Sequence, residues 1–172
     1  MQNNSRFEKD NLLILRVLKK RKNIAYKEKA SLSRLEKGFI GERMFDDWVD
    51  KLTKKWTVLK DLQIKSNNSI FQIDSMIITQ ESILLFEVKN YEGDYYIEDE
   101  KWYRVNGSEI QNPLLQLKRS ESLLRILLQN LGYTVPIQAF LVFINPTFHL
   151  YHATRNPHII FPTQLDRFFT TN

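Results

Sequence analysis

Leu84-Leu85-Phe86-Glu87-Val88-Lys89-Asn90 is the stretch on which the reading of this chain turns. Its apolar beginning reads as a buried strand, and it ends by placing Glu87 and Lys89 two residues apart. Alternate residues of a strand share a face, so the carboxylate and the ammonium point the same way. Packing gives a core strand no reason to end in two charges, because buried charges must be paired or bound to something. A second strand-like run, Phe71-Gln72-Ile73-Asp74-Ser75-Met76-Ile77-Ile78, carries one acid in the same manner. The turn Thr79-Gln80-Glu81-Ser82 between them makes the two runs an antiparallel hairpin. The expectation is that Asp74, Glu87 and Lys89 meet.

Upstream, residues 56–64 read as another strand, and residues 65–69 as a polar turn. Before them, residues 31–52 read as a helix, with Ser33 and Glu36 resembling a capping box and Ser31 as an alternative cap. Phe39, Phe45, Trp48, Val49 and Leu52 recur in it at helical spacing. Gly38 and Gly41 lie on one face of that helix and permit close backbone approach, each costing about 1 kcal/mol relative to alanine. Glu42 then projects from the edge of this contact, either as a surface glutamate beside a packing notch or toward the acids of the strands. Residues 1–30 read as a polar start and a helix through Leu12, Leu15 and Leu18, closed by Lys19-Lys20-Arg21-Lys22, which complement a helix C-terminus. This extension suits a packing arm first, with a nucleic-acid contact or a membrane-surface helix as the alternatives.

Downstream, Gly93 breaks the chain, and Tyr95-Tyr96-Ile97 and Lys101-Trp102-Tyr103-Arg104-Val105 read as short strands. Asn106-Gly107 is a strong hairpin turn leading to Ser108-Glu109-Ile110. Pro113 opens a helix with Gln116 in its first turn and Gly132 as its stop. Residues 136–144 are nearly all apolar, as suits a strand covered on both faces. Residues 149–161 read as irregular with a final short strand, and residues 162–169 as at most two helical turns. This order describes one α/β domain with a mixed sheet (residues 31–172) behind an N-terminal helical extension (residues 1–30).

The 172 residues suffice for one real core, and 42% hydrophobic with 26% charged residues is ordinary for a globular chain. The absence of cysteine excludes disulfides and thiolate zinc sites. No apolar run is long enough to span a bilayer, so no transmembrane segment and a cytoplasmic location are expected. The net charge of +5 is uneven: residues 1–60 carry +8 and residues 61–172 carry −3. A basic segment of this kind is either a solvated helix face or a surface for a polyanion.

If Glu42 converges with Asp74, Glu87 and Lys89, three carboxylates and one ammonium sum to −2. Carboxylates this close cannot all ionise without compensation: one protonates or a divalent cation neutralises them. An all-oxygen set suits Mg²⁺ or Mn²⁺, with waters and a substrate phosphate completing the shell. Lys89 would stabilise developing charge there, and Gln116 would position a water or a phosphate. His149, His152 and His158 lie in a loop-like region without a fourth ligand type to make a zinc site. Tyr91, Tyr95, Tyr96, Trp102 and Tyr103 read as hairpin packing, with base stacking as the sharper alternative.

Any Glu-x-Lys alone is common; the ordered combination is what carries weight. Gly38-Phe39-Ile40-Gly41-Glu42, Gln72-Ile73-Asp74, Phe86-Glu87-Val88-Lys89-Asn90-Tyr91-Glu92-Gly93, Trp102 and Asn112-Pro113-Leu114-Leu115-Gln116, in this order, resemble the nuclease-related domain, NERD, of the PD-(D/E)XK nuclease superfamily. The resemblance covers roughly residues 34–150. It implies a restriction-endonuclease-like mixed β-sheet core flanked by helices. It implies Asp74, Glu87 and Lys89 as the core catalytic site, Glu42 as a helical acid and Gln116 as an auxiliary polar residue. Asp74, Glu87 and Glu42 would be the metal ligands, Mg²⁺ or Mn²⁺ the cofactor, and DNA the nucleic-acid partner of a phosphodiester-hydrolysing endonuclease. Many members of the superfamily dimerise to cut both strands, so a homodimer belongs to the same expectation. The chain departs from the superfamily name in having Ile73, not proline, before the aspartate, and its closing helix is expected to be short or absent. A catalytically silent nucleic-acid-binding or interaction module on the same fold is the alternative.

Overall fold

A computed structural model of the protein describes residues 6–21, 24–52, 55–66 and 69–171. Over these the chain forms, in order, α1 (Asp10–Arg21), α2 (Tyr26–Val49), β1 (Thr57–Ser66), β2 (Ser69–Ile78), β3 (Ile83–Lys89), β4 (Gly93–Glu98), β5 (Lys101–Arg104), β6 (Glu109–Ile110), α3 (Pro113–Asn130), β7 (Ile137–Phe143), β8 (Phe148–Tyr151), β9 (Ile159–Ile160) and α4 (Leu165–Thr171). The polar start at residues 1–5, Lys22, and the Asn67-Asn68 pair of the expected turn lie outside the described residues.

Five strands make the central sheet, ordered β1-β2-β3-β7-β9. β1, β2 and β3 are antiparallel neighbours, whereas β7 lies parallel to β3 and β9 parallel to β7. A parallel neighbour needs a crossover, and α3 supplies it. β7 is covered on both faces, as its unbroken apolar run requires. Ala139, Leu141 and Phe143 pack with Leu85, Trp102 and Leu124 of α3. Phe140 and Val142 pack with Phe86, Phe45 and Val49 of α2, and Leu165 of α4. The central strands are thus clamped between α3 on one side and α2 with α4 on the other. α4 is present and short; its Phe168 and Phe169 rings lie 6.1 Å from that of Phe86.

Two expectations are corrected here. The single mixed sheet is in fact two, because β4, β5 and β6 pair with β8 in a second sheet ordered β6-β5-β4-β8. β8 falls partly within the stretch read as irregular: it is four residues long, and its partner β4 lies some fifty residues earlier, Gly93 against Phe148. Also, α2 starts at Tyr26, so Ser31 and Ser33 are interior residues and residue 30 falls within a continuous helix. No serine marks the true start. Ala25 has no capping side chain, and its N–H donates instead to Glu28 Oε2 at 2.8 Å.

A carboxylate and lysine cluster at the end of the central sheet

The β2–β3 ladder runs from Ile78 opposite Ile83 to Ser75 opposite Phe86 and ends there. At the next position the side chain of Asp74 replaces the backbone: its Oδ2 accepts the Val88 N–H at 2.9 Å. An unpaired buried N–H is costly, so this bond fixes the buried carboxylate beside the end of β3. Glu87 is 2% exposed. Its Oε1 accepts from Lys89 Nζ at 2.7 Å, the two side chains sharing a face as their spacing requires. Lys89 Nζ also donates to Gln116 Oε1 at 3.0 Å. Gln116 is held by the start of α3, where Asn112 Oδ1 accepts the Leu114 N–H at 2.9 Å and Pro113 takes the first helical position.

α2 reaches the same corner through Gly41. A Cβ there would stand 2.4 Å from Asn90 Cβ, so only glycine allows this approach. Gly38 has nothing within 4 Å of such a Cβ, so the notch expected from two glycines is made by one. Asn90 locks the contact, donating to the Lys37 carbonyl at 2.8 Å and accepting from Asn145 Nδ2 at 3.0 Å. Glu42, next to Gly41, is thereby buried near the strand acids, with Asp46 one turn further along.

Arg6 was not anticipated. Its side chain is 1% exposed and lies among the acids of α2. Nε and Nη2 each donate to Asp46 at 3.1 Å, Nη1 donates to Glu42 Oε2 at 2.7 Å, and Nη2 also donates to the Asp74 carbonyl at 2.8 Å. Lys9 Nζ stands 3.6 Å from Glu42 and 3.7 Å from Asp61. No local pattern announces these pairs, whose partners lie 36 to 68 residues away. The basic surplus of the first sixty residues was the sole sequence signal. Asp46, four residues after Glu42, was legible by helical spacing.

Burial dominates the electrostatics. It raises the Glu87 carboxyl to about 7, helped by the charge of Asp74 and opposed by Lys89. Burial likewise raises Asp74 against the Val88 N–H bond, and raises Glu42, to which Asp74 adds. Burial alone would lower Lys89, but its ion pair with Glu87 outweighs this and the net direction is up. Three carboxylates each held above their ordinary range, by burial first, mark a desolvated corner of the kind in which functional groups concentrate.

The donor chemistry fits a hard divalent cation at Asp74 and Glu87. Among the described residues, Asp74 Oδ1 and Glu87 Oε2 take no hydrogen bond, and Mg²⁺ is commonly held by one or two carboxylates with waters and phosphate oxygens. No group of three or more acids or histidines among the described residues is set to grip one ion together. Glu42 is engaged by Arg6 and Lys9 instead. The histidines have separate partners: His149 Nδ1 meets the Thr147 carbonyl and His158 Nδ1 that of Ala139. The aromatics pack: Tyr91 stacks on Tyr95 at 5.0 Å, Tyr96 on Tyr103 at 5.1 Å, and Trp102 lies buried against Phe143. A cleft of about 710 Å³ lined by Trp56, Gln80, Glu81, Gln138 and Phe140 lies at the opposite end of β3 and shares no residue with this corner.

A mixed α/β core with helices on both faces, and a buried acid–lysine cluster where its central strands end, defines a restriction-endonuclease-like class of domain. The chain belongs to the nuclease-related domain family, NERD, whose model matches residues 37–144. Comparison with curated proteins returns no match. Among solved structures, the chain is similar to protein VC1899 from Vibrio cholerae at 13% identity and a TM-score of 0.38, covering 92% of this chain and 40% of that one. This chain therefore spans well under half the length of that protein, and a TM-score this low carries no inference. None of the described helices is long and apolar enough to cross a membrane.

Proposed function

We propose that the protein is a divalent-cation-dependent nuclease that hydrolyses DNA phosphodiester bonds at the corner formed by β2, β3 and α3. The supporting observation is the convergence of Asp74, Glu87, Lys89 and Gln116 at the end of one strand pair. Asp74 and Glu87 would hold Mg²⁺ or Mn²⁺, which when bound supplies polarisation of a phosphoryl oxygen and a more acidic water. Lys89 uses two of its three N–H bonds on Glu87 and Gln116 and keeps one for a phosphate oxygen or an attacking water. Holding that ammonium in a water-poor setting strengthens its stabilisation of charge that develops on the phosphoryl group. Gln116 orients Lys89, and the ion pair with Glu87 keeps it charged at neutral pH. A DNA partner accords with the net charge of +5 and the basic first third.

The test is incubation of purified protein with single-stranded, duplex and branched DNA in Mg²⁺ or Mn²⁺. Cleavage by wild type, lost in Glu87→Ala and in Lys89→Ala, supports the reading. Wild type and Glu87→Ala behaving alike on every substrate ends it.

The second reading is a DNA-binding or interaction module on the same fold without turnover. It is favoured by the seating of Arg6 among acids that an enzyme would leave open to a cation. It expects salt-sensitive DNA binding that survives Asp74→Asn, with no cleavage by wild type.

A further inference from the structure

The arrangement of Arg6 bears on how many cations the corner takes, an inference that rests on the metal-binding reading above. α1 packs on α2 through buried Leu12 against Leu32, with Leu35 and Phe39 beside them. Arg16 ties the two helices further, donating to Glu36 of α2 at 3.1 Å and to Glu8 at 2.6 Å. The carbonyl of Lys9 accepts the Leu12 and Leu13 N–H groups, so the segment that precedes α1 is anchored to the helix itself. The packing of α1 therefore delivers Arg6 to the acids.

Four of the five guanidinium N–H bonds are spent there: two on Asp46, one on Glu42 and one on the Asp74 carbonyl. A bidentate, charge-assisted arrangement of this kind is a strong and directional one. Lys9 stands over the remaining Glu42 oxygen, and Lys60 Nζ lies 4.0 Å from Asp46. On this side of the corner Arg6 holds Glu42 and Asp46, and Lys9 stands between Glu42 and Asp61, so each of these three acids has a cation of the protein beside it. On the other side, Lys89 is the cation paired with Glu87, and one oxygen of Asp74 and one of Glu87 have no donor among the described residues.

We propose that Arg6 is a built-in cation of the site. Its guanidinium holds Glu42 where a second divalent ion would otherwise bind, and the protein takes a single divalent ion, between Asp74 and Glu87. Arg6 acts through Glu42 and is a positioning residue. Glu42 lies outside the pair that binds the ion.

The experiment is a Mn²⁺ titration of the full chain without nucleic acid, followed by calorimetry and by the electron paramagnetic resonance of free Mn²⁺. Wild type is expected to bind one ion, lost in Asp74→Asn. Arg6→Ala is expected to bind two, the second disappearing when Glu42→Gln is added, and Arg6→Lys is expected to restore the count of one. Should Arg6→Ala fail to fold, Glu42→Gln alone still decides, because its dissociation constant for the single ion should change by less than about tenfold. Two ions in wild type, one ion in folded Arg6→Ala, or a larger loss in Glu42→Gln overturns the role of Arg6 and leaves the metal-dependent reading standing. A wild type that binds no Mn²⁺ overturns that reading, and the role of Arg6 with it.

Discussion

Glu87→Gln should make the metal-free protein more stable at pH 8. Glu87 is almost wholly buried and titrates near 7, against 4.5 for an ordinary glutamate. Between these values the folded chain keeps the proton and the unfolded chain has lost it, so stability falls as pH rises through that window. At about 1.36 kcal/mol per pH unit the full cost is about 3 kcal/mol above pH 7, and it vanishes below about pH 4.5. Glutamine keeps the shape and the acceptor for Lys89 Nζ but carries no charge to bury. Up to about 3 kcal/mol should return at pH 8, less what Lys89 forfeits by losing its ion pair, and little at pH 5. Asp74 and Glu42 are raised in the same direction and steepen the pH dependence of wild type, and because their charges act on Glu87, removing the Glu87 charge relieves them in the same sense. Urea unfolding of both proteins in a chelator at pH 5 and pH 8 measures this difference. A variant no more stable than wild type at pH 8, or a wild-type stability flat from pH 5 to 7, refutes the account of Glu87 as a carboxyl protonated by burial. The same linkage makes Mn²⁺ binding tighten as pH rises toward 7, with proton release on binding.

Other substitutions test the packing around the cluster. Gly41→Ala drives a methyl into Asn90 and should cost about 1–3 kcal/mol. Gly38→Ala meets open space in the same helix and should stabilise by about 0.5–1 kcal/mol, with thermal unfolding separating the two. Ser75 Oγ is buried without a hydrogen-bond partner among the described residues, so Ser75→Ala should be neutral or stabilising by about 1 kcal/mol in denaturant titrations; a loss of that size would show a bound water or a partner at the hydroxyl. Phe86→Ala empties a site ringed by Phe45, Phe140 and Phe168 and should cost about 3–5 kcal/mol. A value under 1 kcal/mol would mean that the face of β3 toward α2 and α4 is not packed as described.

What was legible in advance was local. The β2–β3 hairpin, the doubly covered β7 and the shared face of Glu87 and Lys89 follow from the two-residue period and from unbroken apolar runs. Gln116 was placed by Pro113, which announces a helix start. What escaped was decided at long range or lacked its usual marker. β8 is too short to show a period and owes its existence to β4. α2 begins without a capping side chain, so serines inside it were mistaken for its start. Gly38 and Gly41 are alike in sequence and differ only in what faces them. Arg6 is one arginine among many until α1 packs, and its partners come from α2 and β2.

The bond from Asp74 to the Val88 amide has a practical consequence for anyone seeking an inert control. Replacing this aspartate by alanine deletes a charge and strands a peptide hydrogen in the interior, so lost turnover and a loosened strand end would arrive together. Asparagine offers an amide oxygen to the same hydrogen, and its failure to support chemistry can be read as chemistry alone.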